Sequence, residues 1–333
     1  MTPPFKTRIT ELFGIRHPIL CGGLMWLADA RDVAAVVNAG GMGFITAKTF
    51  PDPSQFRAEL RKARELTNGL QFGVNLYISS HAEDNALLAS HSAIALEEGV
   101  RLFETAGAPP KELLPRLKEA GAIVMHKVAT VRHAISAAKL GIDAVAVVGA
   151  ECGGHPGLNL VGTMVQTPRA AEGLGIPLVV GGGIGHGSQI LAALAMGADA
   201  VLIGTRMTVA EEIWAHPAYK ERLIAADETE TRLILASFRN TYRALDNASA
   251  RKVAEMEANG VTDFNAYKPY VLGTHAKTAY ETGDWNLGVL SVGQSVVFAR
   301  EVKPVAAIYA QLIAEAVTAR ERVAAISGGG AGG

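Results

Sequence analysis

From its start to about Thr205 the chain repeats one rhythm: a short apolar run, a break rich in Gly or polar residues, then a longer amphipathic stretch that ends near Gly. A short apolar run buries a strand on both faces, and the amphipathic stretch after it packs one face back on the sheet, so the alternation predicts βα units and a parallel sheet. The predicted strands are Pro18 to Cys21, Met42 to Ile45, Gln71 to Leu76, Leu102 to Thr105, Ala122 to His126, Ala144 to Val148, Pro177 to Val180 and Ala200 to Ile203. Helical patterns lie between them at Asp29 to Asn38, Ser54 to Leu66, Pro109 to Ala120, Thr130 to Leu140 and Ser188 to Met196, the last three closed by Gly121, Gly141 and Gly197.

Eight units can close into a (β/α)8, or TIM, barrel, which places functional groups on the loops after the strands. The rival is a doubly wound open sheet. It is disfavoured because no G-x-G-x-x-G follows the first strand and phosphate-type glycines come late in the order. After Arg206 longer helical segments follow, Pro217 to Ala226, Glu230 to Ala236 and Ala248 to Asn259, then an irregular Tyr-, Gly- and Thr-rich stretch through Asp284. The organisation expected is an α/β barrel over 1–206, a smaller helical cap over 207–287, a segment 288–326 returning to the barrel through a helix Val302 to Ile326, and a Gly-rich flexible tail 327–333.

Composition narrows the partners. A formal charge of −1 and a pI near 6.8 leave no broad basic field, which disfavours nucleic acid and anionic membrane. A small-molecule substrate is expected, and a homodimer is allowed. Cys21 and Cys152 belong to no C-x-x-C pair or zinc-ligand spacing, so neither a disulfide scaffold nor a metal site is expected, and a reducing cytoplasm is. No apolar leader opens the chain and no stretch approaches the roughly 20 apolar residues of a spanning helix.

The strongest chemical signal is a pair of late loops, Gly181-Gly182-Gly183-Ile184 and Gly204-Thr205-Arg206, after the seventh and eighth predicted strands. Barrels often cradle a phosphate there, glycines letting backbone N–H groups approach the anion while the helix opening near Gly187-Ser188 points its positive end at it. The same glycines also suit plain βα turns, and phosphosugar enzymes use the same loops. A ring site is suggested by Gly22-Gly23 after the first strand, Asn75 after the third, Lys127 after the fifth and the loop Glu151 to Gly157 after the sixth. A flat isoalloxazine needs close backbone on one side and fixed donors along its polar edge, a lysine there favouring the reduced ring by charge.

Taken in order, His17-Pro18-Ile19-Leu20-Cys21-Gly22-Gly23, Phe72 to Leu76, His126-Lys127, Glu151-Cys152-Gly153-Gly154-His155-Pro156-Gly157, Gly181 to Ile184 and Gly204-Thr205-Arg206 resemble the motif series of the nitronate monooxygenase (2-nitropropane dioxygenase) family of FMN-dependent barrels. The likeness covers nearly the whole chain, including Gly288 to Gln294. It implies that Gly22, Gly23, Asn75, Lys127 and Gln294 contact FMN, that Gly182, Gly183, Gly204 and Thr205 hold its phosphate, and that His155 is catalytic. The His155-Pro156-Gly157 variant, with His126-Lys127 and Arg239-Asn240-Thr241, is similar to a branch of NADH:quinone reductases, so NAD(P)H is a candidate donor and a quinone a candidate substrate beside a nitronate. A flavin-dependent enoyl reductase and a non-redox phosphate-binding barrel are further alternatives.

An imidazole on a Gly-flanked loop titrates near neutrality, so His155 could take a proton from a nitroalkane carbon or, protonated, hold an anionic nitronate. His17, His133 and His216 are assigned to structure, and Cys152 to a small buried residue beside the flavin without a partnered base. Trp26 and Trp285 suit a cavity wall or the core equally.

Overall fold

The computed structural model describes residues 3–327. The predicted tail, Ser327 apart, lies outside the described residues.

Eight parallel strands close into a barrel in sequence order: β1 Ile19–Cys21, β2 Met42–Thr46, β3 Gly73–Ile78, β4 Leu102–Gly107, β5 Ile123–Val128, β6 Ala144–Val148, β7 Leu178–Gly181 and β8 Ala200–Leu202, with β8 paired to β1. Residues alternate between the interior and the surrounding helices. Val74, Val124, Val145, Val147, Val180 and Val201 belong to the core under the helices. Leu20, Met42, Phe44, Leu102, Met125, Ala146, Val179 and Leu202 fill the barrel itself, together with Ile9 and Phe13 of the helix Arg8–Phe13, which plugs its lower end. Gly73 makes that filling fit, because a Cβ there would stand 2.2 Å from the Phe44 ring.

One step up the same interior rows the residues turn polar. Thr46 pairs in register with Asn75 and Asn75 with Glu104, while Lys127 follows Met125 on the inward row of β5. An apolar floor under a polar ring is what sets the depth of the site.

After β8 the chain forms a smaller unit above the mouth. Two predictions fail here. Glu230 to Ala236, read as a helix, carries a strand, β9 Thr231–Ile234, paired antiparallel with β10 Tyr242–Leu245. The hairpin wins because its partner buries Ile234 and Ala244 against Ala250, Val253 and Tyr267, and an Arg232–Asp246 ion pair of 2.9 Å ties the two arms. The Tyr- and Gly-rich stretch is also not irregular. It forms the helices Phe264–Val271, N-capped by Asp263, and Gly273–Thr282. A third prediction is shortened: the helix after β4 runs only over Leu114–Glu119, since consecutive Pro109 and Pro110 lack N–H donors and the chain turns there first.

The helix Val305–Ile326 returns to the barrel and packs against the helices Gly187–Ala195 and Ala30–Asn38. Among the described residues no helix is long and apolar enough to cross a membrane.

Candidate active site

A cavity of about 1170 Å³ opens at the C-terminal ends of the strands, between the barrel mouth and the smaller unit. Its walls bring together Gly22, Gly23, Asn75, Lys127, His155, Gly182, Gly183, Gly204 and Thr205. Gln294 does not line it. The Gln294 N–H instead donates to the Glu151 carbonyl at 3.0 Å and braces the β6 loop, and Ser291 and Ser295 reach the cavity from that segment. Another depression, on the outer surface along the helix Pro53–Leu66, is lined by Arg57 and Arg61, which are already bound to Glu97 and Glu98.

The centre of the floor is a residue the sequence reading missed. Glu104, fully buried on β4, accepts from the Gly23 N–H at 2.9 Å and from Asn75 Nδ2 at 2.8 Å through one oxygen, and pairs with Lys127 Nζ at 2.8 Å through the other. Burial alone would raise this carboxyl, but the Lys127 charge with the Gly23 and Asn75 donors outweighs it and holds Glu104 below the usual carboxylate range. The ring of Gly23, Asn75, Glu104 and Lys127 is therefore a fixed, ionised network. Gly23 is required by close approach, since a Cβ there would lie 2.5 Å from Asn75 Cβ.

Across the mouth the two late loops behave differently from each other and from expectation. Gly182 and Gly183 have φ of 96° and 72°, and a Cβ on either would meet Gly149 N at 2.8 Å or Glu151 Cβ at 2.9 Å. Among the described residues no turn or loop hydrogen bond uses the N–H groups of Gly182, Gly183, Gly204 or Thr205. They form a set of backbone donors open to a ligand at the cavity wall. The helix Gly187–Ala195 does not join it: the Gly187 N–H donates to Glu315 Oε2 at 2.7 Å and the Ser188 N–H to His186 Nδ1 at 3.1 Å, so its N-terminus is closed by the protein itself. The Thr205 hydroxyl accepts from the Gly293 N–H at 2.9 Å, which leaves its own proton for a ligand.

The β6 loop is held from three sides. Gly154 and Arg243 form an antiparallel bridge, the Arg243 guanidinium donates twice to the Ala150 carbonyl at 3.1 and 3.0 Å, and the Glu151 carboxylate accepts from Thr163 N. This scaffold presents His155 to the cavity, edge-on to the Tyr242 ring with centroids 4.9 Å apart. Tyr242 in turn shares a hydrogen bond with Ser291. The protein around the imidazole lowers its pKa from the ordinary value although the ring is exposed to the cavity, which favours the neutral form. Burial pushes the Cys152 thiol up to about 11, which removes it as a nucleophile at neutral pH.

Of the other singled-out residues, His216 caps the helix Pro217–Ile224, whereas His133, assigned to structure, lines the cavity. Trp26 is a wall residue, held at φ 70° with its carbonyl accepting from Trp214 Nε1; Trp285 instead lies under Arg222, away from the cavity.

The family profile described as nitronate monooxygenase matches residues 6–315. The chain belongs to the nitronate monooxygenase family. It is a flavin-dependent oxidoreductase of that family, on the TIM-barrel fold. A probable nitronate monooxygenase of Staphylococcus aureus is 29% identical over 87% of this chain and 92% of its own length. A Mycobacterium tuberculosis protein named (3aS,4S,5R,7aS)-5-hydroxy-7a-methyl-1-oxo-octahydro-1H-indene-4-carboxyl-CoA dehydrogenase is 37% identical, over 66% of this chain; the match spans only 61% of that relative. Among solved structures, FabK from Thermotoga maritima superposes with a TM-score of 0.89 at 32% identity, covering 97% of this chain and 99% of that one. A nitroalkane oxidase from Streptomyces ansochromogenes gives 0.80 at 26%, covering 94% and 99%.

The residues present fit a flavin. The backbone donors of Gly182, Gly183, Gly204 and Thr205 and the Gly23–Asn75–Glu104–Lys127 network meet at one mouth. Two buried polar groups on its wall, Thr46 Oγ1 and Trp26 Nε1, have no partner within the protein, as expected of groups that meet a polar ring edge.

Proposed function

We propose that the flavin is FMN and that the chain oxidises alkyl nitronates, formed in the site from the nitroalkane or supplied as such, with dioxygen to a carbonyl compound and nitrite. The observation that carries this reading is His155: an uncharged imidazole, open to the cavity and held by a braced loop beside Tyr242. Bound FMN would supply the electron acceptor. Gly182, Gly183, Gly204 and Thr205 would hold its phosphate, and Asn75 and Lys127 its polar ring edge. Because His155 is neutral, it is suited to take the carbon-bound proton of a nitroalkane rather than to clamp an anion by charge, which selects one of the two roles open from the sequence. Tyr242 positions the ring by edge-to-face contact.

The test is His155→Asn, which keeps size and some hydrogen bonding. A general acid–base contact is worth roughly 10²- to 10⁴-fold, so kcat/KM for a nitroalkane substrate should fall by that order while flavin content stays at the wild-type level. Unchanged turnover would remove His155 from the chemistry. Reduction of a quinone by NAD(P)H is a second reading, supported by the apolar side chains Leu24, Met25, Leu235, Val271 and Val289 that line the same cavity. Anaerobic bleaching of the flavin by NADH, unaffected in His155→Asn, would favour it.

A further inference from the structure

The far rim of the cavity carries a charge pattern that neither the flavin nor a nitronate uses. Among the described residues no Asp or Glu side chain lines the cavity, although the chain has 32 acidic residues against 31 Lys and Arg. Three lysines do line it, Lys48, Lys111 and Lys127. Lys127 is neutralised by Glu104, but Lys48 and Lys111 are exposed and form no ion pair with a described residue. Of the lysines elsewhere, Lys6, Lys118, Lys252, Lys277 and Lys303 pair with Glu11, Asp143, Glu255, Glu281 and Glu301, while Lys62, Lys139, Lys220 and Lys268 form no ion pair with a described residue but do not line the cavity.

Their placement is defined. Lys48 follows β2 and lies over the Tyr77 ring, 5.0 Å from its centroid. Tyr77 on β3 pairs in register with Ala106 on β4, and Lys111 follows in the next loop. Lys48 and Lys111 thus stand on the loops after β2 and β4, on either side of β3, which carries Tyr77. In the closed strand order β3 stands opposite β7, so this rim faces the Gly182–Gly183 loop across the mouth. Two uncompensated cations beside a cavity with no acidic wall favour a second anion.

We propose that Lys48 and Lys111 form a subsite for the diphosphate of a nucleotide-bearing co-reactant, whose remaining length reaches inward toward His155. This goes beyond nitronate oxidation, because an alkyl nitronate has no second anionic group to place there. The shared chemistry is an adenosine diphosphate on a flexible arm, present in a dihydronicotinamide dinucleotide and in coenzyme A. Lysine binds such a group as a point charge.

The experiment titrates NADH and coenzyme A separately into holoenzyme by calorimetry, for the wild type, Lys48→Gln/Lys111→Gln and the charge-keeping Lys48→Arg/Lys111→Arg. Flavin content and nitronate turnover, measured on the same samples, report the proposed function independently and should not change. Wild-type binding should weaken as salt rises. The Gln pair should weaken binding of at least one nucleotide ~10-fold, the order expected for two charge-assisted contacts, and the Arg pair should restore it. Loss confined to NADH assigns the subsite to a dinucleotide donor, loss confined to coenzyme A to a thioester, and loss of both to their common diphosphate. Equal affinity in wild type and the Gln pair, no binding of either nucleotide to wild type, or failure of the Arg pair to restore binding would each overturn the proposal.

Discussion

At the scale of single residues the site rests on two charge states. Glu104 is held ionised by Lys127, Gly23 and Asn75, and His155 is held neutral by the protein around it. For a base that must be uncharged, a lowered pKa extends activity toward acid, so the acid limb of kcat/KM against pH should fall below 6.5, the ordinary imidazole value. A limb at or above that value would show that the free enzyme does not desolvate His155. Lys127→Ala should weaken retention of reduced FMN more than of oxidised FMN, measured as cofactor lost on dialysis in each redox state, because a cation favours the more negative ring. Equal losses would make Lys127 purely structural. Lys127 was legible in the sequence because it follows an apolar run, and Asn75, inside its strand, only through the family-like motif Phe72 to Leu76. Glu104 was not: it sits between Phe103 and Thr105 inside a run, and what reveals it is the barrel closure that places it beside Lys127. Tyr242 and Ser291 were hidden for a related reason, since they reach the cavity from segments distant in sequence.

At the scale of elements, loops that look alike in sequence do unlike things. Gly183→Ala would force a left-handed φ on a side chain and drive its Cβ toward Glu151, so the variant should fold but lose most of its flavin, read from the absorbance ratio of flavin to protein. Full flavin retention would mean that the loop carries no phosphate. The helix Ala30–Asn38 holds the opposite kind of surprise. Its buried stripe of Ala30, Val33, Ala34, Val36 and Val37 includes Asp32, whose two carboxylate oxygens have no partner and whose pKa burial, with Asp29 and Glu212 adding to it, raises to about 8. A group raised above its unfolded value of 3.8 contributes stability at low pH that is lost as pH climbs toward 8. Asp32→Asn removes that titration, and its Tm should vary less than the wild type's between pH 5 and 9, with the variant the more stable of the two at pH 9. Parallel Tm profiles would show that Asp32 has access to water. Strand positions were read to within two residues because their apolar runs carry their own boundaries. The strand β9 was read as a helix because its pattern is short and its partner β10 lies outside any local window.

At the scale of the whole molecule, the barrel was legible because its signal is repeated eight times, each unit confirming the period of the others. The cap was less so, since no repeat supports it. The proposed function has the late loops hold a single phosphate, so heat-released cofactor should run as FMN on chromatography. Recovery of FAD would require a second nucleotide arm in the flavin site and would also displace the diphosphate subsite argued above. The same site is assembled from both ends of the sequence. Gly23, near the beginning, is fixed by Glu104; Gly293 and Gln294, near the end, fix Thr205 and the Glu151 carbonyl; and Glu315, on the last helix, closes the N-terminus of Gly187–Ala195. A ribosome therefore cannot release a working cofactor pocket in instalments. Until residues 293–315 have cleared the exit tunnel, the newborn barrel has a helix end bare of its carboxylate and a β6 loop without its brace, so cofactor loading belongs after their synthesis and not before it.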